Sequence, residues 1–399
     1  MASVEGALTL VLVDLHAHFP MHLLPDEQQQ THDHVKAFAR RWWRARIVDL
    51  VSRFLNYQGP GGTPSVTESL METGDVGVAL SVLYAPFDEM DLEQSYGAPP
   101  KESYFDDILS ELQTVEDHVA AHSKQVAIAH SPTELDGLIG TARPVLIHAI
   151  EGGFQLGGDE SEIRENVRTL ANRGVAYVTL AHLFWRKVAT NAPALPFLPD
   201  WLYNLVFPQP EEGLSPLGEA AVGAMVEHGI LVDITHMNER AISDTFDLLD
   251  SRDPDNKVPL IATHMACRFG KLKYSFSDDT IKRVADRGGV LGCIFCEHFI
   301  TDGLRTRVRQ YDDSVAALCT HIDRIRHVTG SFDHIAFGSD LDGYIKPALP
   351  GLEHMGHMRR FQQSLRARYG PVNAEKICSE NALRVLRSAW RASPPQGWT

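Results

Sequence analysis

Short β-branched runs alternate with amphipathic helical stretches along almost the whole chain. The strand candidates are LVLVDLHA (10–17), VGVALSVL (76–83), VLIHAIEG (145–152), VAYVTLAH (175–182), ILVDITH (230–236), LIATH (260–264), GVLGCIF (289–295) and HIAFGSD (334–340). A ninth, VAIAH (126–130), reads as an extra edge or a lead into the third. Between them ESYFDDILSELQTVEDHVAAH, EIRENVRTLANRG, PLGEAAVGAMVEHG and DDTIKRVADRG repeat apolar residues at three- and four-residue spacing and end near Gly or a turn residue. Eight such units predict an α/β fold: a (β/α)8 TIM barrel with additional helices and long βα loops, in one domain over 1–399. An open doubly wound sheet is the alternative, but no GxGxxG or other phosphate-cradling glycine motif follows any strand.

Two segments exceed what a minimal barrel needs, at about 19–74 and 184–216. The first contains KAFARRWWRARIVDLVSRF, where helical spacing lets Trp42 and Trp43 pack inward while Arg40, Arg41, Arg44 and Arg46 stay solvated. The second is rich in Pro and aromatic residues, and reads either as a pocket-building loop at the C-terminal end of a strand or as a subunit contact. It leaves a homodimer open.

Charge narrows the partners. The 399 residues carry 37 Lys+Arg against 52 Asp+Glu, a net charge of −15. That balance argues against nucleic acid and anionic membranes, which attract basic patches. The N-terminal apolar run lacks a basic leader and ends in Asp14 and His16, no run approaches the roughly 20 apolar residues of a membrane span, and the tail RASPPQGWT carries no anchor signal. A cytoplasmic location is expected. Five sparse cysteines favour reduced thiols, and Cys293-Ile-Phe-Cys296 sits in an apolar run where core packing is the expected role.

The chemistry is concentrated at strand ends. His16 and His18 close the first strand candidate, Glu151 the third, His182 the fourth, His236 the fifth, His264 the sixth and Asp340 the eighth. In a barrel these ends share one mouth. A lone histidine in such a place is usually a hydrogen-bonded structural residue, but the series is hard to produce by coincidence. His-x-His on a strand points both imidazoles to one side. Imidazole and carboxylate are ligands for zinc or a similar divalent ion, and two ions about 3.5–4 Å apart can share a hydroxide and polarise a carbonyl or phosphoryl oxygen. Glu151 is the candidate bridge and Asp340 the candidate proton carrier. His182 is the candidate oxyanion donor, with a structural role as its alternative.

The segments IHAIEGG (147–153), YVTLAH (177–182), GLSPLGEAAVGAMVEHGILVDITHM (213–237), ATHMACR (262–268), FGSDLDG (337–343) and ENALRVL (380–386) resemble the membrane (renal) dipeptidase family, peptidase family M19, of the amidohydrolase-type metal-dependent hydrolases. The resemblance implies two Zn2+, or another divalent metal, with His16 and Glu151 on one ion and Glu151, His236 and His264 on the other. It further implies that His182 contacts substrate near the scissile carbonyl and that Asp340 handles protons. The substrate implied is a dipeptide or similar small amide, cleaved by a metal-bridging hydroxide. Two departures stand out. His18 occupies a position where the family commonly has Asp, which leaves the site one unit more positive. Where the family's carboxylate-clamping arginine would fall, eleven residues after His264, the chain has Ser275, so Arg268, Lys271 and Lys273 become the nearby candidates for substrate binding, Arg268 first. These departures keep lactone or phosphoester hydrolysis and metal-dependent decarboxylation as alternatives, with a non-catalytic metal-binding barrel behind them.

Overall fold

Among the described residues the apolar runs form nine strands: β1 (Leu12–Ala17), β2 (Val76–Leu83), β3 (Ala127–Ile128), β4 (Val145–Glu151), β5 (Tyr177–Thr179), β6 (Leu231–Asp233), β7 (Leu260–Met265), β8 (Val290–Cys293) and β9 (Ile335–Phe337). In this computed structural model residues 11–24, 63–89, 96–195, 198–343 and 347–391 are described. The stretch with Arg40, Arg41, Trp42, Trp43, Arg44 and Arg46 lies outside the described residues.

All pairings between named strands are parallel, and the order β2-β1-β9-β8-β7-β6-β5-β4 is closed by pairing of β2 with β4. Eight strands therefore make the expected barrel. The ninth, β3, pairs only with Val145 and Leu146 at the start of β4, while β5 pairs with Ile150 and Glu151 at its end. The two share one edge of β4, so the extra strand lies outside the closed ring.

The helices form where their sequence ends are chemically marked. Ser103–Ala121 follows β2. Glu160–Asn172 begins where the Asp159 side chain accepts from the Glu162 N–H, Pro216–His228 where Ser215 accepts from Gly218, and Asp278–Asp286 where Ser277 accepts from Thr280. Gly229 ends the second of these with φ 68°, a left-handed cap that favours glycine. Val13, Leu15, Val78, Leu80, Val145, Ile147, Ala149, Leu231, Ile261 and Val290 share one buried cluster with Leu383, Leu386 and Trp390 of the C-terminal segment. The barrel interior is thus packed with branched side chains, and the helix Asn381–Ala389 contributes to the same core. All five cysteines are free and buried, and burial pushes the Cys293 and Cys296 thiols up to about 12, so this pair packs as expected. No helix among the described residues is long and apolar enough to cross a membrane.

Several strands are shorter than their apolar runs. β6 stops at Asp233 and β9 at Phe337, before His236 and Asp340. Both residues have left-handed backbone, φ 65° and 57°, which breaks the ladder and turns their side chains out of strand alternation. In β1 the register shifts between Asp14 and Ala17, and the inward series passes from Val13 and Leu15 to His16 and His18. β7 shifts between Ala262 and Met265, around His264. Irregular backbone at the ends of these strands is what aims the polar side chains.

Candidate metal centre

These irregular ends place five imidazoles around one buried carboxylate. Glu151 Oε1 lies 3.4 Å from His16 Nε2, 3.5 Å from His236 Nε2 and 3.4 Å from His264 Nε2. Its other oxygen, Oε2, is 3.4 Å from both His18 Nε2 and His182 Nε2. Asp340 Oδ1 approaches His18 Nε2 at 3.2 Å and His16 Nε2 at 4.0 Å. All of these residues are buried. The strand-end residues named from the sequence, His16, His18, Glu151, His182, His236, His264 and Asp340, therefore converge on one mouth.

Apart from His236 Nε2 and His264 Nε2, which stand 2.9 Å apart at hydrogen-bond distance, the spacing fits metal ligands better than hydrogen bonds. Two atoms each about 2.0–2.1 Å from one tetrahedral ion stand roughly 3.3 Å apart. Among the described residues, Glu151 Oε1, His16 Nε2 and both ring nitrogens of His18 find no hydrogen-bond partner although fully buried, a cost that bound cations would remove. Three ligand groups can be drawn within this cluster: His16, Glu151 and His264; His16, His18 and Asp340; Glu151, His182 and His236. Burial opposes ionisation of Glu151, but the imidazoles, His182 and His16 foremost, hold its carboxyl well below the usual range. Burial lowers His236 and drives His264 well below its ordinary value, which leaves both rings neutral, as ligands require. His18 behaves oppositely. Burial disfavours its charge, yet the carboxylates of Asp340 and Glu151, 3.2 and 3.4 Å from its Nε2, raise it to about 10. That position attracts positive charge.

A second layer fixes which nitrogen faces inward. Thr263 Oγ1 donates its only proton to Asp233 Oδ2 at 2.6 Å, so it can only accept from His264 Nδ1 at 3.0 Å and His16 Nδ1 at 3.2 Å. The Tyr177 hydroxyl donates to Leu15 O at 2.9 Å and accepts from His16 Nδ1 at 2.8 Å. Both rings thus carry their proton on Nδ1 and turn the Nε2 lone pair to Glu151. Asp233 is itself held by Thr179 Oγ1, Thr235 N and Oγ1, and Thr263 N. Asp14 plays the equivalent part on β1, accepting from His16 N and Ser339 N, with burial raising its carboxyl to about 6. Thr263→Val keeps the shape and removes that acceptor. Metal affinity should fall roughly ten- to a hundredfold, read by competition against a chromophoric chelator. Unchanged affinity would remove Thr263 from the account.

The sequence did not single out Glu89, which follows β2 at the end of a short helix, Pro86–Glu89. Its Oε2 accepts from Tyr84 OH at 2.6 Å and His182 Nδ1 at 2.7 Å, and its Oε1 from Phe184 N at 2.8 Å. Burial pulls the His182 imidazole down, but Glu151 and Glu89 outweigh it and raise the ring above its ordinary value. Asp340 is shaped by Gly343, where a Cβ would stand 2.0 Å from Asp340 Oδ1.

Arg268 does not join the cluster. Its guanidinium donates to Ser275 O at 2.8 Å, Lys273 O at 3.4 Å and the Glu239 carboxylate. Ser275, at the position of the expected arginine, is buried and its hydroxyl is unpartnered.

The sequence profile described as membrane dipeptidase (peptidase family M19) matches residues 9–396. An uncharacterized protein in the pqqA 5' region of Klebsiella pneumoniae is 30% identical over 187 residues, covering 46% of this chain and 64% of that protein. Dipeptidase tcpJ of Claviceps purpurea (strain 20.1) is 25% identical over 290 residues, 70% of this chain and 59% of its own. The matched parts thus span less than two thirds of these relatives' length. Among solved structures, dipeptidase AC, a metallopeptidase of family M19, superposes with a TM-score of 0.70 at 19% identity, covering 96% of this chain and all of the other. A metallopeptidase from Rhodobacter sphaeroides, liganded with a phosphinate mimic of the dipeptide L-Ala-D-Ala, gives the same TM-score, identity and coverage. At that identity both show the fold.

Proposed function

The chain belongs to the membrane dipeptidase family, peptidase family M19, and from that premise we propose that it is a single-domain, metal-dependent hydrolase cleaving the amide bond of a dipeptide or similar small amide. The observation that carries the reading is Glu151, a buried carboxylate with an imidazole Nε2 at 3.4–3.5 Å in five directions. His16, His18 and Glu151 would hold one divalent ion, and Glu151, His236 and His264 a second; zinc suits this nitrogen-rich set. When bound, such ions lower the pKa of water and polarise a carbonyl oxygen.

The side chains supply the rest. Asp340 Oδ1, beside His18, takes a proton and returns it to the leaving amine. His182, its Nδ1 proton held by Glu89, presents Nε2 to the oxygen on which charge develops. The family named in these comparisons acts on dipeptides, so a panel of dipeptides with free and amidated C-termini, lactones and phosphoesters tests the reading. Hydrolysis of free dipeptides is expected. Turnover of lactones or phosphoesters alone would overturn it in favour of the second reading, which His18 and Ser275 support.

Arg268 is the proposed partner of the substrate carboxylate. Its side chain is 21% exposed and its partner Glu239 57% exposed. Such a pair is worth only about 0–1 kcal/mol and exchanges readily. Arg268→Ala should raise KM for free dipeptides roughly ten- to a hundredfold, with kcat little changed and amidated substrates unaffected. Equal KM values would exclude Arg268.

We also propose a homodimer built on the loop after β5, where Trp201 and Leu205 are each 69% exposed on the helix Asp200–Val206. A second copy is the occupant expected for this pair. Light scattering should give twice the chain mass for the wild type and the chain mass for Trp201→Glu/Leu205→Glu. A wild-type monomer would refute the dimer.

A further inference from the structure

A second group of metal-competent side chains lies on the other face of β4. Val145, Ile147, Ala149 and Glu151 alternate along one side of that strand, and His148 points to the opposite side, toward helix Ser103–Ala121. His148 is fully buried and neither ring nitrogen has a hydrogen-bond partner among the described residues. Its Nε2 is aimed at Glu116 Oε1, 3.5 Å away. His130, just beyond β3, places its own Nε2 3.3 Å from the same oxygen. This is again the roughly 3.3 Å separation of two ligands on one tetrahedral ion.

The surroundings prepare these three atoms. Glu134 Oε2 accepts from the His130 backbone N–H at 2.9 Å and stands 3.3 Å from its Nδ1, which favours a proton there and turns the Nε2 lone pair toward Glu116. Arg173 occupies the other oxygen of Glu116 at 2.7 Å, orienting the carboxylate and leaving Oε1 toward the histidines. Burial lowers His148 below its ordinary value and keeps the ring neutral, as a ligand must be.

We propose that Glu116, His130 and His148 form a peripheral site for a borderline divalent transition cation such as Zn2+, with a fourth position for water. Two imidazoles and one carboxylate disfavour Mg2+ and Ca2+, which take mostly oxygen ligands. The ion would tie helix Ser103–Ala121 and the segment after β3 to the outside of the strand that carries Glu151. The site is independent of the function proposed for the mouth, since it uses none of the mouth's ligands.

Zinc uptake measured by equilibrium dialysis on the full chain tests this, comparing wild type, His130→Ala and His130→Cys. His130 is partly exposed on a loop, so its replacement leaves the core intact. His130→Ala should bind about one zinc fewer than wild type, with turnover unchanged, and His130→Cys should restore that zinc, because a thiolate can ligate it. The same loss should appear in a His236→Ala/His264→Ala background, whatever the mouth itself binds. Equal zinc in wild type and His130→Ala would overturn the site. So would loss in both His130 variants, because His130 would then be holding the Glu116 and Glu134 carboxylates in place rather than ligating the ion itself.

Discussion

Glu151→Gln should reduce turnover by at least about 10^4-fold and strip metal from the barrel mouth. The substitution is isosteric, so it tests charge rather than shape. Both carboxylate oxygens are surrounded by imidazole nitrogens at 3.4–3.5 Å, so the carboxylate is central to all five rings. An amide can ligate through one oxygen only, and its NH2 would face His18 and His182 or else His16, His236 and His264. With the ions gone, water loses the lowered pKa that bound cations would give it, which accounts for the size of the loss. Elemental analysis after dialysis, beside kcat and a thermal melt, checks it. Near-normal metal content with near-normal turnover would exclude Glu151 as the bridge.

Asp340→Asn should lower kcat by roughly 10^2–10^4-fold while KM and metal content stay within a few-fold of wild type. Asn is the substitution that isolates proton transfer here. Asp340 sits at φ 57°, and Asn tolerates left-handed backbone nearly as well as Asp. Its amide oxygen can still face His18, which now lies 3.2 Å from Asp340 Oδ1. What disappears is the capacity to take a proton and hand it on. Steady-state kinetics with metal analysis of the same preparation decides the matter. A loss confined to metal content would make Asp340 a ligand alone, and unchanged kcat would remove it from the proton path.

The barrel and its polar mouth were legible because both obey simple periodicities. Apolar runs such as VGVALSVL became β2 with the boundaries read from the sequence, and strand-end His and Asp residues were visible as interruptions of those runs. The helix candidates PLGEAAVGAMVEHG and DDTIKRVADRG begin at Pro216 and Asp278, where the helices of the structure begin, each directly after a serine that caps it. Other features were hidden for physical reasons. His236 and Asp340 lie past the hydrogen-bonded strands because of local left-handed backbone, which apolar periodicity does not report. Glu89 reaches His182 from a short helix 93 residues earlier in the chain, a tertiary contact with no local signature. Asp233 and Thr263 did leave a trace, as buried polar residues within VDITH and ATHM just before each histidine. A carboxylate or hydroxyl inside an otherwise apolar strand needs a partner, and here the partners orient the His16 and His264 rings. Arg268 was chosen by its distance along the chain from His264, which says nothing of Glu239, the carboxylate that holds it.

The most direct test is a crystal of the zinc-replete protein measured at the zinc absorption edge. Two anomalous peaks flanking Glu151 are predicted, about 3.5–4 Å apart, one against His16 and His18 and the other against His236 and His264. No anomalous peak within coordination distance of Glu151 would contradict the account.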